Sequence, residues 1–308
     1  MLDYRVETFL KVCETLNYTH AAEELNITQP AVSQHIRYLE EYYGVQLFQY
    51  ENKVMHLTGA GRLLRDRMRV LQNDEEVLTK EIRQEDSGSL PLALGVTMTV
   101  GEYAVVHPLA AYIRRHPEKN IQLRFGNTAQ LLHLLQQGEI QIALVEGYYP
   151  QEEYEHLNYS TEKYIAVRGK DYVLQHPEPE SFSDLLGERL LVRETGSGTR
   201  NILERCLAVR GLAVEDFPRQ IQVENMHTII GLMTEGCGIS FLYRIAVANE
   251  LQSGTLKEIS IPGFHMAHDF DFIWEKGSMY DSRCRKVGEE LKMLRTDTAA
   301  QVIENKRS

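Results

Sequence analysis

Residues 18–58 read YTHAAEELNITQPAVSQHIRYLEEYYGVQLFQYENKVMHLT, and this stretch decides the fold of the N-terminal part of the chain. The spacing of its apolar residues predicts a short helix, a tight turn, a longer helix and then a β-hairpin. Thr19 is the expected N-cap of the short helix. An earlier helix over residues 6–16 packs behind the pair, so the stretch has the layout of a winged helix-turn-helix, a module that reads DNA.

The longer helix of this stretch has clear start and stop signals. Thr28 is its predicted N-cap, and Pro30 stands in the first turn, where a missing N–H costs nothing. Gly44 ends the helix as a C′ glycine. The apolar residues Val32, Ile36 and Leu39 recur at i, i+4 and i+7 and must face inward, so the polar side chains between them face out.

The outward side chains of this helix are suited to the edges of bases. A Gln can bond an adenine edge in bidentate fashion, and an Arg can bond a guanine edge. Any three-helix core shows the same periodicity, however, and polar outward residues alone are weak evidence for DNA binding. The predicted DNA contacts, including the wing, are Thr28, Gln29, Pro30, Ser33, Gln34, Arg37, Lys53 and His56.

The joint pattern is more specific than the helical spacing. AAEELNITQPAVSQHIRYLEEYYGVQLF, followed by a short wing and LTGAG, resembles the N-terminal signature of LysR-type transcriptional regulators over roughly residues 3–65. The resemblance implies a DNA-binding regulator of transcription. One departure is the charge, because residues 1–60 hold four Lys or Arg and eight Asp or Glu. Since non-specific binding is nearly all electrostatic, we expect it to be weak here, with a strong dependence on base or shape readout.

Residues 59–88 predict a long helix without an internal Pro and with no Gly between residues 61 and 88. An a/d-type stripe runs along it, broken at Glu75. The stripe could simply pack on the helical domain, whereas the family resemblance implies a linker helix that pairs between subunits. The candidate dimerisation residues are Leu64, Met68, Leu71, Leu78 and Ile82, and a polar hinge follows at Asp86, Ser87, Gly88 and Ser89.

From Leu90 onward, strands alternate with helices, which predicts parallel sheets with right-handed crossovers. The order resembles the effector domain of the same family, two Rossmann-like α/β lobes of the type 2 periplasmic-binding-protein fold. The resemblance implies that two segments, near residues 163–168 and 266–272, cross between the lobes. The predicted division is 1–58 for the winged helix-turn-helix, 59–88 for the linker and hinge, and 89–308 for the effector domain. Within the last, lobe I covers about 89–164 and 268–300, and lobe II about 165–267.

Short polar and Gly-rich segments follow the predicted strands where the lobes should face each other. Hydroxyls and free N–H groups at helix starts suit a small anion such as a carboxylate, although Thr, Ser and Gly are also ordinary helix caps. Glu146 is either a ligand contact or an acceptor between the lobes, and the sequence leaves both open. The predicted effector contacts are Thr97, Met98, Thr99, Asn127, Thr128, Thr195, Gly196, Ser197, Gly198 and Thr199.

Composition narrows the class of protein. A net charge of −11 argues against a general nucleic-acid coat protein, so contact with DNA must be local. No apolar run approaches 18 residues and the N-terminus lacks a signal-peptide pattern, so we expect a cytoplasmic protein with no membrane partner. The four cysteines, Cys13, Cys206, Cys237 and Cys284, form no C-x-x-C pair and predict reduced, mostly buried thiols.

Two other functions compete with that of a regulator. An enzyme on the same two-lobed fold would need a catalytic grouping, and no catalytic triad, paired-carboxylate motif or metal spacing stands out. A solute-binding protein would need an export signal and has no use for a winged helix. We therefore expect a non-enzymatic regulator without cofactor or metal. Its expected partners are double-stranded DNA and a small anionic effector, and the resemblance adds a homodimer or homotetramer and contact with RNA polymerase.

Overall fold

The computed structural model describes residues 2–83 and 91–305. Three helices, α1 (Tyr4–Thr15), α2 (Tyr18–Glu24) and α3 (Gln29–Tyr43), form the N-terminal domain with the hairpin β1 (Phe48–Glu51) and β2 (Val54–Leu57). Their apolar faces meet in one core that includes Phe9, Val32 and Ile36, each almost fully buried. The predicted winged helix-turn-helix is confirmed.

Helix capping follows the sequence signals with one correction. The Thr28 hydroxyl accepts a hydrogen bond from the backbone N–H of Ala31 at 3.4 Å, and Gly44 ends α3 with φ +70°, both as predicted. The prediction of Thr19 as the cap of α2 was wrong. Asn17 is the N-cap, and its side-chain oxygen accepts from the N–H groups of Thr19 and His20 at 2.8 and 3.1 Å. An Asn carbonyl two residues earlier reaches the free N–H groups, so the helix begins one residue before Thr19.

The wing is a two-residue hairpin. Asn52 and Lys53 form its loop, both with positive φ (50° and 67°), and Glu51 pairs with Val54 across it. Two successive left-handed residues are the requirement of a type I′ turn, whose twist matches that of the two strands. The turn therefore holds Lys53 at the exposed tip of the wing.

Helix α4 (Gly59–Arg83) follows the wing and packs on the C-terminal domain as well as on the first. The Asn73 amide donates to the backbone oxygen of Leu135 at 2.7 Å, and the Asp74 carboxylate accepts from the Ser278 hydroxyl at 2.6 Å and from the Met279 N–H at 2.9 Å. Val77 is buried beside them. The predicted hinge at residues 86–89 lies outside the described residues.

The C-terminal domain contains two lobes. Lobe I is built on three parallel strands with helices between them. Its elements are β3 (Leu92–Val96), α5 (Val106–Arg115), β4 (Ile121–Phe125), α6 (Thr128–Gln136), β5 (Ile142–Glu146) and the late helix α10 (Asp281–Asn305). The sequence GEYAVVHPLAAYIRRHP, residues 101–117, predicts a single helix, whereas the structure has a π-helical turn, Val100–Ala104, ahead of α5.

Lobe II repeats the pattern with shorter strands. Its elements are β7 (Arg189–Val192), α7 (Gly198–Ala208), β8 (Arg219–Gln222), α8 (Met226–Thr234), β9 (Ile239–Tyr243), α9 (Ala248–Ser253) and β10 (Leu256–Ile259). The sequence SFSDLLG, residues 181–187, predicts a helix, whereas the structure has a single 3-10 turn over Phe182–Leu185. Strand β7 pairs in parallel with both β8 and β9.

Two long strands cross between the lobes, where the sequence predicted the crossing segments. Strand β6 (Tyr154–Gly169) pairs antiparallel with β11 (Met266–Glu275), and β11 in turn pairs with β5 of lobe I. Strand β6 continues into lobe II and pairs with β9. The strand order is β4-β3-β5-β11-β6-β9-β7-β8, with β10 on β6. The predicted fold class, an N-terminal winged helix-turn-helix and a two-lobed α/β domain, is confirmed.

Three of the four cysteines are buried, as predicted, and the fourth, Cys237, is partly exposed. Burial raises the pKa of the Cys13 and Cys284 thiols to about 12, and that of Cys206 above its ordinary value. These three thiols are therefore protonated near neutral pH and are poor nucleophiles. Within residues 2–83 and 91–305, no helix is both long enough and apolar enough to cross a membrane.

Candidate nucleic-acid interface and effector cleft

The predicted base-reading side chains lie on one exposed face of α3. Gln29, Ser33, Gln34 and Arg37 are all exposed, and with Pro30 they line a surface groove of about 830 Å³. The inward residues of the same helix are buried in the domain core. The row that the sequence predicted is therefore free of contacts with the core of its own domain.

The charge of this groove is mixed. Arg37 is 80% exposed, and its Nε lies 3.8 Å from a carboxylate oxygen of Glu41, an ion pair of little strength at such exposure. Glu40 also lines the groove, but its Oε1 accepts the Leu47 N–H at 2.8 Å. At the wing, Lys53 and His56 are exposed. The interface can thus donate hydrogen bonds to bases, although it offers few cations to phosphates.

The second candidate site lies where the strand ends of both lobes face each other. Its mouth has a volume of about 670 Å³ and is lined by three of the predicted effector contacts, Met98, Asn127 and Thr195. Gly196 of lobe II faces Asn127 of lobe I, since a Cβ on Gly196 would lie 3.3 Å from the Asn127 amide nitrogen. The lobes therefore approach each other closely behind this mouth.

The other predicted contacts lie behind the mouth and are buried, namely Thr97, Thr99, Thr128, Ser197, Gly198 and Thr199. Three of their hydroxyls already have an acceptor, which is Glu146. Its Oε2 accepts from Thr97 Oγ1 at 2.8 Å, and its Oε1 accepts from Thr99 Oγ1 at 2.9 Å and Thr199 Oγ1 at 3.0 Å. The expectation that these hydroxyls are free for an effector anion is corrected, because they already donate hydrogen bonds to an internal carboxylate.

Glu146 was left open by the sequence and is an acceptor between the lobes. It is only 1% exposed, and burial raises the pKa of its carboxyl above the ordinary value, while the three hydroxyl donors act in the opposite direction. Tyr164, on the crossing strand β6, donates from its hydroxyl to the backbone oxygen of Thr199 at 2.9 Å. The start of α7 is thus bonded to both the crossing strand and lobe I.

Arg193 and Asn225 are among the residues of the mouth that sequence reasoning missed. Arg193 is buried and forms a bidentate ion pair with Glu194, through Nε at 2.8 Å and Nη2 at 2.9 Å. Among the described residues, its buried Nη1 has no acceptor. Asn225 caps α8 by accepting the Thr228 N–H at 3.0 Å. Its position at a helix start directly after β8 is the signal that could have found it, since the same signal identified Asn127.

The predicted dimerisation stripe on α4 divides in two. Leu64 and Met68 pack against the core of the N-terminal domain, which is the alternative that the sequence left open for the whole stripe. Leu71, Leu78 and Ile82 are exposed. The C-terminal half of the stripe is therefore the more exposed part.

Two family profiles match the chain. The bacterial regulatory helix-turn-helix protein, lysR family, matches residues 4–62, and the LysR substrate binding domain matches residues 84–294. The HTH-type transcriptional regulator CbbR of Rhodospirillum rubrum is 28% identical over 276 residues, which cover 89% of this chain and 90% of that protein.

Solved structures of similar fold include two with bound ligands. Full-length LysG of Corynebacterium glutamicum with bound effector Arg is 18% identical, with a TM-score of 0.58 over 96% of this chain and 99% of LysG. The regulatory domain of Synechocystis CcmR in complex with 2-PG is 20% identical, with a TM-score of 0.58 over 66% of this chain and 96% of that domain. At these identities the likeness concerns the fold alone.

Proposed function

Because the chain belongs to the LysR family of transcriptional regulators, we propose that it reads a specific DNA sequence with α3 and responds to a small anion bound between its two lobes. The observation that carries DNA readout is the exposed row Gln29, Ser33, Gln34 and Arg37 on a helix whose opposite face is buried. In helix-turn-helix proteins the second helix of the motif enters the major groove by its N-terminal half. Gln29, Ser33 and Gln34 lie in that half of α3, and Arg37 follows just past its middle.

Because the DNA-binding surface offers few cations to phosphates, we expect contacts with bases to contribute most of the affinity for the operator. We expect Gln34→Ala and Arg37→Ala each to weaken binding to the preferred operator about tenfold or more, because a bidentate base contact contributes about 1–3 kcal/mol. The operator is selected from a random duplex library with the full-length protein, and affinity is measured at fixed salt. Arg124→Ala is the matched control, since it removes the same charge from an exposed position in lobe I. A selection that enriches no sequence, or equal affinity of all three variants and the wild type, would contradict base readout.

The proposed effector site is the mouth of the cleft rather than the threonine hydroxyls behind it. The N-termini of α6 and α8 both open onto this mouth through their caps Asn127 and Asn225, and helix N-termini favour anions. Arg193, whose buried Nη1 has no acceptor among the described residues, adds a cationic donor to the lining. A volume of about 670 Å³ suits a small molecule. The bound effectors of CcmR and LysG are consistent with a small ligand in this fold.

The effector proposal is tested by substitution of Arg193. Thermal unfolding of the full-length protein is followed with sulfate, phosphate or small dicarboxylates, against sodium chloride of equal ionic strength. We expect at least one of these anions to raise the midpoint by about 3 °C or more at ten times its Kd. Arg193→Gln should lose this rise and the exposed-site control Arg124→Gln should keep it. The proposal fails if none of the anions raises the midpoint, or if Arg193→Gln responds like the wild type.

We also propose that the exposed half of the α4 stripe pairs two subunits. Leu71, Leu78 and Ile82 lie seven and four residues apart, so they share one face of the helix. A dimer would discriminate better between DNA sequences than a monomer. One recognition helix contacts few base pairs, whereas the free-energy costs of mismatched base pairs in two half-sites roughly add. Repacking of such dimers into tetramers on effector binding would change the path of the DNA presented to RNA polymerase. The effector can shift that equilibrium only through its differential affinity for the two arrangements.

A further inference from the structure

A buried carboxylate of the chain itself lies between the lobes and accepts several hydrogen bonds. Glu146 ends β5 in lobe I and receives three hydroxyl hydrogen bonds, two from lobe I and one, from Thr199, across the cleft. Thr99 and Thr199 lie 3.3 Å apart at their Oγ1 atoms, so donors from the two lobes meet around one oxygen. This is the arrangement of an occupied carboxylate site.

A hydroxyl has one proton to donate. While Thr97, Thr99 and Thr199 donate to Glu146, none of them can donate to a second anion. A second carboxylate placed against them would also lie within a few ångströms of the first, in a buried pocket where the low dielectric leaves their repulsion poorly screened. External anions and Glu146 therefore compete for the same donors, and Glu146 has the advantage of being part of the chain.

The surrounding backbone is shaped for this internal ligand. A Cβ on Gly198 would lie 1.9 Å from the backbone oxygen of Glu146 and 2.9 Å from its Cγ, so only glycine lets the start of α7 come this close. That approach brings the next residue, Thr199, within hydrogen-bond distance of the carboxylate. The side chain and the glycine together hold lobe II against lobe I.

We propose that Glu146 is a tethered carboxylate ligand that closes the two lobes on each other and bars small carboxylates from the threonine hydroxyls. The inference rests on the proposed function in that it concerns the same cleft, and it makes Glu146 the residue that determines which part of the cleft an effector can use. An effector anion is confined to the mouth, beside Arg193. Removal of the Glu146 carboxylate turns the threonine pocket into a site for a free carboxylate of matching size.

Chemical rescue tests this directly. Glu146→Ala vacates the carboxylate position, whereas Glu146→Gln fills the same space with a neutral amide. Thermal unfolding of the full-length proteins is measured at pH 7 in sodium acetate or formate, against sodium chloride of equal ionic strength. In chloride we expect Glu146→Ala to unfold at a lower midpoint than the wild type. Acetate at ten times its Kd should raise the midpoint of Glu146→Ala by about 3 °C or more. The wild type and Glu146→Gln should show a smaller acetate-specific rise or none.

An equal acetate response of all three proteins, or none in a folded Glu146→Ala protein, would overturn the inference. If Glu146→Ala does not fold in chloride, refolding from denaturant is compared in acetate and in chloride. Recovery of native protein in acetate alone supports the tethered ligand, and equal failure in both salts refutes it. This readout involves neither DNA nor Arg193, so it stays informative if the proposed operator or the mouth site proves wrong.

Discussion

Gly198→Ala is expected to lower the thermal midpoint of the full-length protein by about 6 °C or more. The new methyl group would lie 1.9 Å from the backbone oxygen of Glu146, far inside van der Waals contact. Neither partner is a flexible side-chain end, because one is the backbone of β5 and the other is the start of α7. Overpacking of this kind costs about 1–3 kcal/mol, and each kcal/mol lowers the midpoint of a domain of this size by about 2–4 °C.

The cost has a second component. Relief of the clash requires the start of α7 to move away from lobe I, and Thr199 moves with it. The 3.0 Å hydrogen bond from Thr199 to Glu146 then breaks, and a buried carboxylate loses its only donor from lobe II among the described residues. Loss of a partner by a buried charged group is costly in itself. For this reason we expect the total at the upper end of the overpacking range.

Gly231→Ala is the matched control for this substitution. Gly231 lies in α8, also in lobe II, and a Cβ there would meet nothing within 4 Å. In an exposed helix position the change to Ala is stabilising by about 0.5–1 kcal/mol. The measurement is the thermal unfolding midpoint of both variants, compared with that of the wild type. A Gly198→Ala protein that melts at or above the wild-type midpoint would show that the lobes do not need this close approach.

Glu275→Gln is expected to stabilise the protein at pH 8 by up to about 3 kcal/mol and to change little at pH 4.5 or below. Glu275 ends β11 beside α4 and is only 9% exposed. Among the described residues its Oε1 has no hydrogen-bond partner. Burial, and next the neighbouring Glu153, raise the pKa of its carboxyl from 4.5 to about 7, while Arg69 acts in the opposite direction. Ionisation of this group therefore opposes folding.

The sign of the pH dependence follows from proton binding. Between about pH 4.5 and 7 the folded state holds a proton on Glu275 that the unfolded state has released. The free energy of unfolding therefore falls as the pH rises through this window, and the loss is complete above pH 7. A Gln at position 275 carries no charge at any of these pH values, so the variant lacks this loss.

The measurement is the difference in unfolding free energy between variant and wild type from pH 4.5 to 8. In this difference, the contributions of the other titrating groups to the pH dependence cancel. Glu178→Gln is the control, because it makes the same chemical change at an exposed loop position. We expect its difference to stay near zero over the whole range. A flat difference for Glu275→Gln as well would show that water reaches this carboxylate beside α4.

Local signals in the sequence predicted the N-terminal domain, apart from the cap of α2. The cap at Thr28, the stop at Gly44 and the periodicity of Val32 and Ile36 each depend on residues within one or two helical turns. Such features are encoded within a few residues, so they could be read without the tertiary structure. The same holds for the exposure of the row on α3, which follows once the inward face is known.

Contacts between side chains far apart in the sequence could not be predicted from these local signals. Residues 97, 99 and 199 lie 49, 47 and 53 positions from Glu146, and nothing local indicates that their hydroxyls converge on it. The sequence identified them as hydrogen-bond donors at strand ends, because strand ends and helix caps are local features. Which acceptor they serve depends on how the crossing strands bring the lobes together.

The α4 helix shows the same division. Periodicity alone predicted an apolar stripe from Leu64 to Ile82, and its existence was a property of the sequence. Packing of the folded domains decided that Leu64 and Met68 are used within the chain while Leu71 and Leu78 stay exposed. The order of apolar and polar residues along the chain thus determined the elements and their faces, whereas the partner of each face was decided by the tertiary fold, because contacts between distant segments form only when the whole chain is closed.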